Sequence, residues 1–280
     1  MKVSVSFKDL REERAKLEEP VGIVPTMGYL HEGHMSLVRQ AKVECASVVV
    51  TIYVNPTQFA PNEDLSSYPR NIPGDLEKLQ KEGVDLVWLP TDEAMYPEGY
   101  QTYVDVRDVT KPLEGAKRPT HFQGVTTVVS KLYNAISPQK AFFGQKDAQQ
   151  VAVVTRMALD LGLSTQVIPS PIVREADGLA LSSRNVRLST EERAAAPILR
   201  RALDAAGSAY DEGEREADVL RALMEEVLAI EPLAQVEYVS VADPLTLREV
   251  QRIEGPALLS MAVLFGTTRL IDNELVGMKE

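Results

Sequence analysis

The sequence predicts an α/β protein, a Rossmann-like doubly wound parallel sheet followed by a smaller α+β domain. Two observations carry this. Short apolar runs rich in β-branched residues alternate with amphipathic stretches across residues 21–173, and the pattern then changes to two helices and a series of short strands. The runs at 21–25 (VGIVP), 47–54 (SVVVTIYV) and 84–89 (VDLVWL) lack polar alternation, as strands covered on both faces do. Between them, 34–44 after Gly33 and 74–81 after Pro73 read as helices, the proline suiting a first helical turn. A helix over 124–135, a strand over 140–143, a helix over 148–161 and a strand over 165–173 complete the expected sheet. Beyond it, 190–210 and 216–229 read as helices, the first with a Ser189/Thr190 cap and Glu191 and Glu192 in its opening turn. Strand patterns follow at 235–242, 256–265 and 267–272. The boundary falls near 174–178, giving a nucleotide-binding domain over 1–174 and a small domain over 175–280.

Composition narrows the function. A chain with 44% hydrophobic and 25% charged residues can bury an ordinary globular core. No apolar stretch approaches the ~20 residues of a membrane span, and the N-terminus turns charged at once. The single Cys45 excludes a disulfide framework and reads as a small buried hydrophobe. These features point to the cytoplasm. A net charge of −11 disfavours nucleic acid and anionic membranes as partners. An anionic small molecule would need a local concentration of donors.

The sequence contains such places. Residues 25–34 (PTMGYLHEGH) follow the first strand directly and open the first long helix, the junction where open α/β sheets bind ligands. Gly28 and Gly33 permit tight turns, and a helix starting near His34 presents N–H groups and its positive dipole end to an anion. His31 and His34, three apart, can both donate to phosphate oxygens and stabilise charge developing on an α-phosphate. Zinc is a weaker reading of the pair, since no third ligand lies suitably near. A second block, 53–59 (YVNPTQF) with Glu63, Asp64, Tyr68 and Arg70 after it, offers neutral Asn55 and Gln58 to hydroxyls and a carboxylate. Asp75 opens the next helix, either near magnesium or as a helix cap. In the third block, 142–150 (FFGQKDAQQ), Gly144 allows close backbone approach, Lys146 supplies a mobile cation, Asp147 can take ribose hydroxyls, and Gln150 can face an organic acid. The fourth runs from Val173, Arg174 and Glu175 to 181–185 (LSSRN), where Ser182, Ser183 and Arg184 form a phosphate clamp.

The H-x-G-H element resembles the signature of the nucleotidyltransferase superfamily, and the string PTMGYLHEGHMSLV resembles the pantothenate synthetase (pantoate–beta-alanine ligase) family in particular. The other three blocks stand in that family's order, so the resemblance covers essentially the whole chain. It implies ATP-dependent ligation of (R)-pantoate and beta-alanine through a pantoyl adenylate, releasing AMP and pyrophosphate. It implies catalytic parts for His34, His31, Lys146, Ser182 and Arg184. ATP would lie along Met27, Gly28, Tyr29, Leu30, His31, Glu32, Gly33 and His34, along Gly144, Gln145, Lys146 and Asp147, and along Val173, Leu181, Ser182, Ser183 and Arg184. Pantoate and beta-alanine would meet Asn55, Gln58 and Gln150. Leu181 stands where the family usually carries methionine, a volume-conserving change. Residues 113–122 resemble the loop beside the pantoate pocket, with His121 either positioning or on the surface. The resemblance further implies Mg2+ with ATP, the 175–280 domain as a lid, and a homodimer; residues 258–265 read as interface or as core. Competing readings are a nucleotidyltransferase that forms no amide and a regulatory nucleotide-binding protein without catalysis. Joint retention of His31, His34, Lys146 and Arg184 argues against the second.

Overall fold

The computed structural model describes residues 1–60, 65, 66 and 68–278; Glu63 and Asp64 of the second block lie outside the described residues. Two compact units form, one from 1–144 with 153–171 and one from 145–152 with 172–280.

The first unit runs β1 (Lys2–Ser4), α1 (Phe7–Arg14), β2 (Val21–Thr26), α2 (Glu32–Glu44), β3 (Ser47–Ile52), a 3-10 turn (Pro56–Gln58) and α3 (Ile72–Lys81). It continues with β4 (Leu86–Trp88), α4 (Asp92–Met95), α5 (Glu114–Lys117), α6 (His121–Ile136), β5 (Lys140–Gly144), α7 (Ala148–Asp160) and β6 (Gln166–Ser170), the start of α7 being part of the second unit. All six strands are parallel, in the order β1-β4-β3-β2-β5-β6. From β2 the chain winds outward through β3 and β4, then returns to the middle with β5. Winding therefore reverses between β2 and β5, and their carboxyl ends flank the crevice where such sheets bind ligands.

The continuous apolar strands are buried as their composition demands. Val24, Val48, Val50, Val87 and Phe142 pack with Met35, Val38 and Ala41 of α2 and Leu79 of α3. Cys45 fills this core above β2: a Cβ on Gly22 would lie 2.8 Å from its Sγ and 3.0 Å from Phe142 Cε2. Burial pushes its thiol upward from the ordinary range, so it stays a neutral packing group. Strand β6 stops at Ser170 rather than reaching 173, and it carries Pro169 at the sheet edge, where a missing N–H costs no ladder bond.

In the second unit the expected helix over 190–210 is two, α8 (Thr190–Ala195) and α9 (Ile198–Asp211), because Pro197 cannot continue the hydrogen-bond ladder. Helix α10 (Ala217–Leu228) and the antiparallel sheet β7 (Ala234–Ala242), β8 (Ala257–Phe265) and β9 (Thr268–Val276) follow. Leu199, Leu203, Leu220 and Met224 pack on Leu259, Met261, Val263 and Phe265 of the central strand. Strand β8 is thus core of its own unit, which removes it as an exposed interface strand. Among the described residues no helix is long and apolar enough to cross a membrane.

Gly22→Ala should lower stability by about 1–3 kcal/mol through overpacking against Cys45 and Phe142. Chemical denaturation checks this, and Gly22→Ala with Cys45→Ala should recover part of the loss.

Candidate functional site

In the first unit, the loop leaving β2 turns back on itself through two consecutive residues with positive φ, Gly28 at 85° and Tyr29 at 52°. A Cβ at position 28 would meet Ile52 Cγ2 at 2.9 Å, so only glycine fits there. Tyr29 is a strained side-chain-bearing residue, and such strain persists only where surroundings impose it. They do so through α3. Asp75, 1% exposed, accepts the Tyr29 N–H at Oδ2 and the Leu30 N–H at Oδ1, both at 2.8 Å. Lys78, one turn on, donates to the Leu30 carbonyl. Asp75 was expected either beside magnesium or as a helix cap. The cap of α3 is Asn71, whose side chain accepts from Gly74 N–H, and Asp75 clamps the loop.

The clamp delivers the chain to α2, which begins at Glu32 rather than near His34 and is capped by the histidines themselves. The Gly33 N–H donates to His31 Nδ1 and the His31 N–H donates to His34 Nδ1, both at 3.2 Å. The two rings lie 4.1 Å apart, tilted by 47°. An Nδ1 that accepts a backbone N–H carries no proton, so each neutral imidazole bears its proton on Nε2. The expected row of helix N–H groups is therefore partly consumed by the caps, and Nε2–H donors take its place. Glu32, expected along ATP, is exposed and ion-paired to Arg39.

The second block sits beside this loop. Gln58 is 8% exposed and its Nε2 lies 3.1 Å from Met27 Sδ, which joins the first two blocks. Asn55 is 1% exposed and wholly engaged. Its Nδ2 donates to Gln58 Oε1 and to the Gly124 carbonyl, both at 3.1 Å, and its Oδ1 accepts from Tyr96 Oη at 2.8 Å. Asn55 was expected to meet substrate; in this structure its bonds are made inside the protein, and one of them orients Gln58. The Gln58 carbonyl lies 2.9 Å from His121 Nδ1, and Arg118 Nη1 lies 3.2 Å from His121 Nε2. A carbonyl only accepts and a guanidinium only donates, so His121 carries its proton on Nδ1 and anchors the Gln58 backbone. Helix α6 presses on the same turn at Gly124, where a Cβ would lie 2.4 Å from the Thr57 carbonyl oxygen. At the other side of the switch point Gly144 ends β5, and a Cβ there would meet nothing within 4 Å, an opening a ligand can approach.

In the second unit, a 3-10 turn (Gln145–Asp147) carries the third block. Asn273 of β9 secures it, donating from Nδ2 to the carbonyls of Gln145 at 3.0 Å and Lys146 at 2.9 Å. Lys146 Nζ lies 3.8 Å from Asp147 Oδ1, and Gln150 is half-buried in the first turn of α7. The fourth block is a hairpin: Leu181 N–H donates to the Val173 carbonyl at 2.9 Å and Arg174 bridges Ala180. Arg174 is held bidentately by buried Asp272 at 2.6 and 2.9 Å. Asn185 donates to Glu175 Oε1 and the Ala180 carbonyl, and Ser182 Oγ accepts the Arg184 N–H at 3.2 Å. Ser183 and Arg184 are half-buried, and Arg184 forms no ion pair with any described residue. Lys78, Asn273, Asp272, Gly124 and Tyr96 escaped the sequence reading. Only Lys78, at helical spacing from Asp75, carried a local signal.

Among the described residues no group of three His, Cys, Asp or Glu side chains could hold a metal ion. Asp75→Ala would strand the Tyr29 and Leu30 N–H groups beside a strained turn. It should cost about 1–3 kcal/mol, read as a lower urea midpoint with an unchanged slope.

A family model described as pantoate-beta-alanine ligase matches residues 2–275. The chain is 57% identical over 278 residues to a pantothenate synthetase of Chloroflexus aggregans, covering 99% of this chain and 100% of that one. It is 54% identical over 274 residues to one of Herpetosiphon aurantiacus, covering 98% and 99%. Among solved structures, a pantothenate synthetase from Thermus thermophilus is similar at TM-score 0.93 and 46% identity, covering 98% and 99% of the two chains. A pantoate-beta-alanine ligase from Francisella tularensis, complexed with beta-gamma ATP and beta-alanine, is similar at TM-score 0.80 and 31% identity over 100% and 99%. The chain belongs to the pantoate-beta-alanine ligase family.

Proposed function

We propose that this protein joins (R)-pantoate to beta-alanine in two steps driven by cleavage of ATP to AMP and pyrophosphate. The observation that carries the reading is the reciprocal capping of His31 and His34, which puts the proton of each ring on Nε2 at the β2 end of the switch point. A carboxylate is a poor acyl donor because oxide leaves poorly. Attack of the pantoate carboxylate on the α-phosphate makes AMP the leaving group instead. Charge on the α-phosphate oxygens grows during that displacement, and fixed neutral N–H donors stabilise it without reorganising. The beta-alanine amine then attacks the acyl adenylate, forming the amide and releasing AMP.

The remaining assignments follow the chemistry of each group. Gln58, its Oε1 occupied by Asn55, offers Nε2–H to the pantoate carboxylate, and Gln150 faces the organic acids. Gly144 lets the nucleotide approach the β5 end. Lys146, Ser182 and Arg184 hold the β- and γ-phosphates, with Ser183 beside them and Asp147 taking the ribose. Met27, the 28–34 loop, Gln145, Val173 and Leu181 line the nucleotide through backbone and apolar surface. Mg2+ would accompany ATP and neutralise phosphate charge, with phosphate and water oxygens as the ligands this ion favours. Residues 175–280 act as a lid. A cytoplasmic homodimer completes the proposal, supported by the family resemblance and by the single buried cysteine; light scattering at one chain mass would remove the dimer.

Two experiments test this. With ATP, pantoate and beta-alanine omitted in turn, sustained AMP formation should require both organic substrates; AMP formed without beta-alanine at undiminished rate contradicts the amide step. His34→Ala should raise the adenylation barrier by about 2.7–4 kcal/mol, the scale of one lost transition-state donor. Single-turnover pyrophosphate release measures it, and a near-native rate refutes the role of the pair.

A further inference from the structure

Gln58 is useful to a carboxylate only in one of its two orientations. The amide oxygen and nitrogen are nearly equal in size, so packing alone does not choose between them. Turned over, the side chain would present Oε1 to an anion and repel it. What prevents the turn is Asn55 Nδ2, which donates to Gln58 Oε1. Asn55 can itself turn over, and its orientation rests on what meets each end. The Gly124 carbonyl requires a donor from Asn55, and Tyr96 Oη, 2.8 Å from Asn55 Oδ1, requires an acceptor. The Thr57 hydroxyl is ambiguous, 3.0 Å from Asn55 Oδ1 and 3.1 Å from Tyr96 Oη, so its one proton serves either. The two hydroxyls share Asn55 Oδ1 and either can donate to the other, and Tyr96 makes the shorter bond to that oxygen, 2.8 Å against 3.0 Å.

We propose that Tyr96 is a positioning residue for the reaction: its hydroxyl, acting through Asn55, keeps the Gln58 amide turned so that Nε2–H meets the pantoate carboxylate. The inference rests on the reading of Gln58 as the acid-binding group. The Tyr96 proton is secure, since burial first of all pushes its phenol up to about 12. The ring is fixed independently of the hydroxyl. Lys131 Nζ lies 4.6 Å from the centre of the Tyr100 ring and 5.6 Å from that of Tyr96, and the two tyrosines pack edge to face at 5.1 Å. Tyr96→Phe therefore removes one donor and leaves the aromatic packing in place.

Steady-state kinetics of the full chain, with pantoate and ATP varied separately, test this. Tyr96→Phe should raise the pantoate KM about fivefold, the worth of one hydrogen bond, leave the ATP KM within about twofold, and keep the thermal midpoint. In a Gln58→Ala background, Tyr96→Phe should add nothing, because the group it orients is gone. An unchanged pantoate KM in Tyr96→Phe overturns the proposal, and so does an equal rise in both backgrounds. If Gln58→Ala alone leaves the pantoate KM unchanged, the acid-binding reading fails and takes the proposal with it.

Discussion

A buried carboxylate with two backbone N–H groups in its grip governs how the β2 end of the sheet is built. Asp75 holds consecutive amides of a loop that would otherwise relax, because Tyr29 occupies a left-handed conformation that a side chain disfavours. The interaction spans 45 and 46 residues of sequence, from α3 to the β2 loop. Its consequence is directional. With Tyr29 and Leu30 fixed, the chain enters α2 at His31, and His31 and His34 fall into the positions where each caps the other. The tautomers that follow are set by backbone donors, so the placement of the two Nε2–H groups is a product of secondary-structure termination rather than of a neighbouring acid.

The turn that carries Gln58 is built by the same logic with neutral groups. Gln58 is held at both ends: its carbonyl by His121, which Arg118 supports, and its side chain by Asn55. Helix α6 closes on the turn at Gly124 because no side chain stands between them. An anionic substrate in a protein of net charge −11 gains from donors whose placement needs no buried cation. The second unit repeats the strategy, Asn273 fixing the carbonyls around Lys146 so that only its ammonium stem remains adjustable.

Much of this was legible in the sequence, and the limits have physical causes. The alternation of strand and helix from Val21 onward is carried by burial on both sheet faces, which composition reports directly. The edge strand β1 and helix α1 were not foreseen, since Lys2–Ser4 spans three residues and FKDLREER is mostly charged. Strand β9 runs past Asp272 to Val276, where Asn273 and Glu274, polar and loop-like in sequence, bond the Gln145 carbonyl and Arg200. The chemistry-bearing residues stood out through glycines, histidines and a lysine clustered at strand ends. Their supports did not, because Tyr96, Gly124 and Asn273 act across long sequence separations. Asp75 and Asn55 were visible but their partners were not, for that reason: a lone carboxylate or amide gives no sign of which distant group it bonds.

The chain has three histidines, and the hydrogen-bond network gives each a definite tautomer, so one spectrum tests the account most directly. Long-range 1H–15N correlation of the imidazole rings at mildly alkaline pH should show His31 and His34 protonated on Nε2 and His121 on Nδ1. A His31 or His34 ring with its proton on Nδ1 would contradict the reciprocal cap, and with it the claim that the Asp75-held loop prepares two Nε2–H donors.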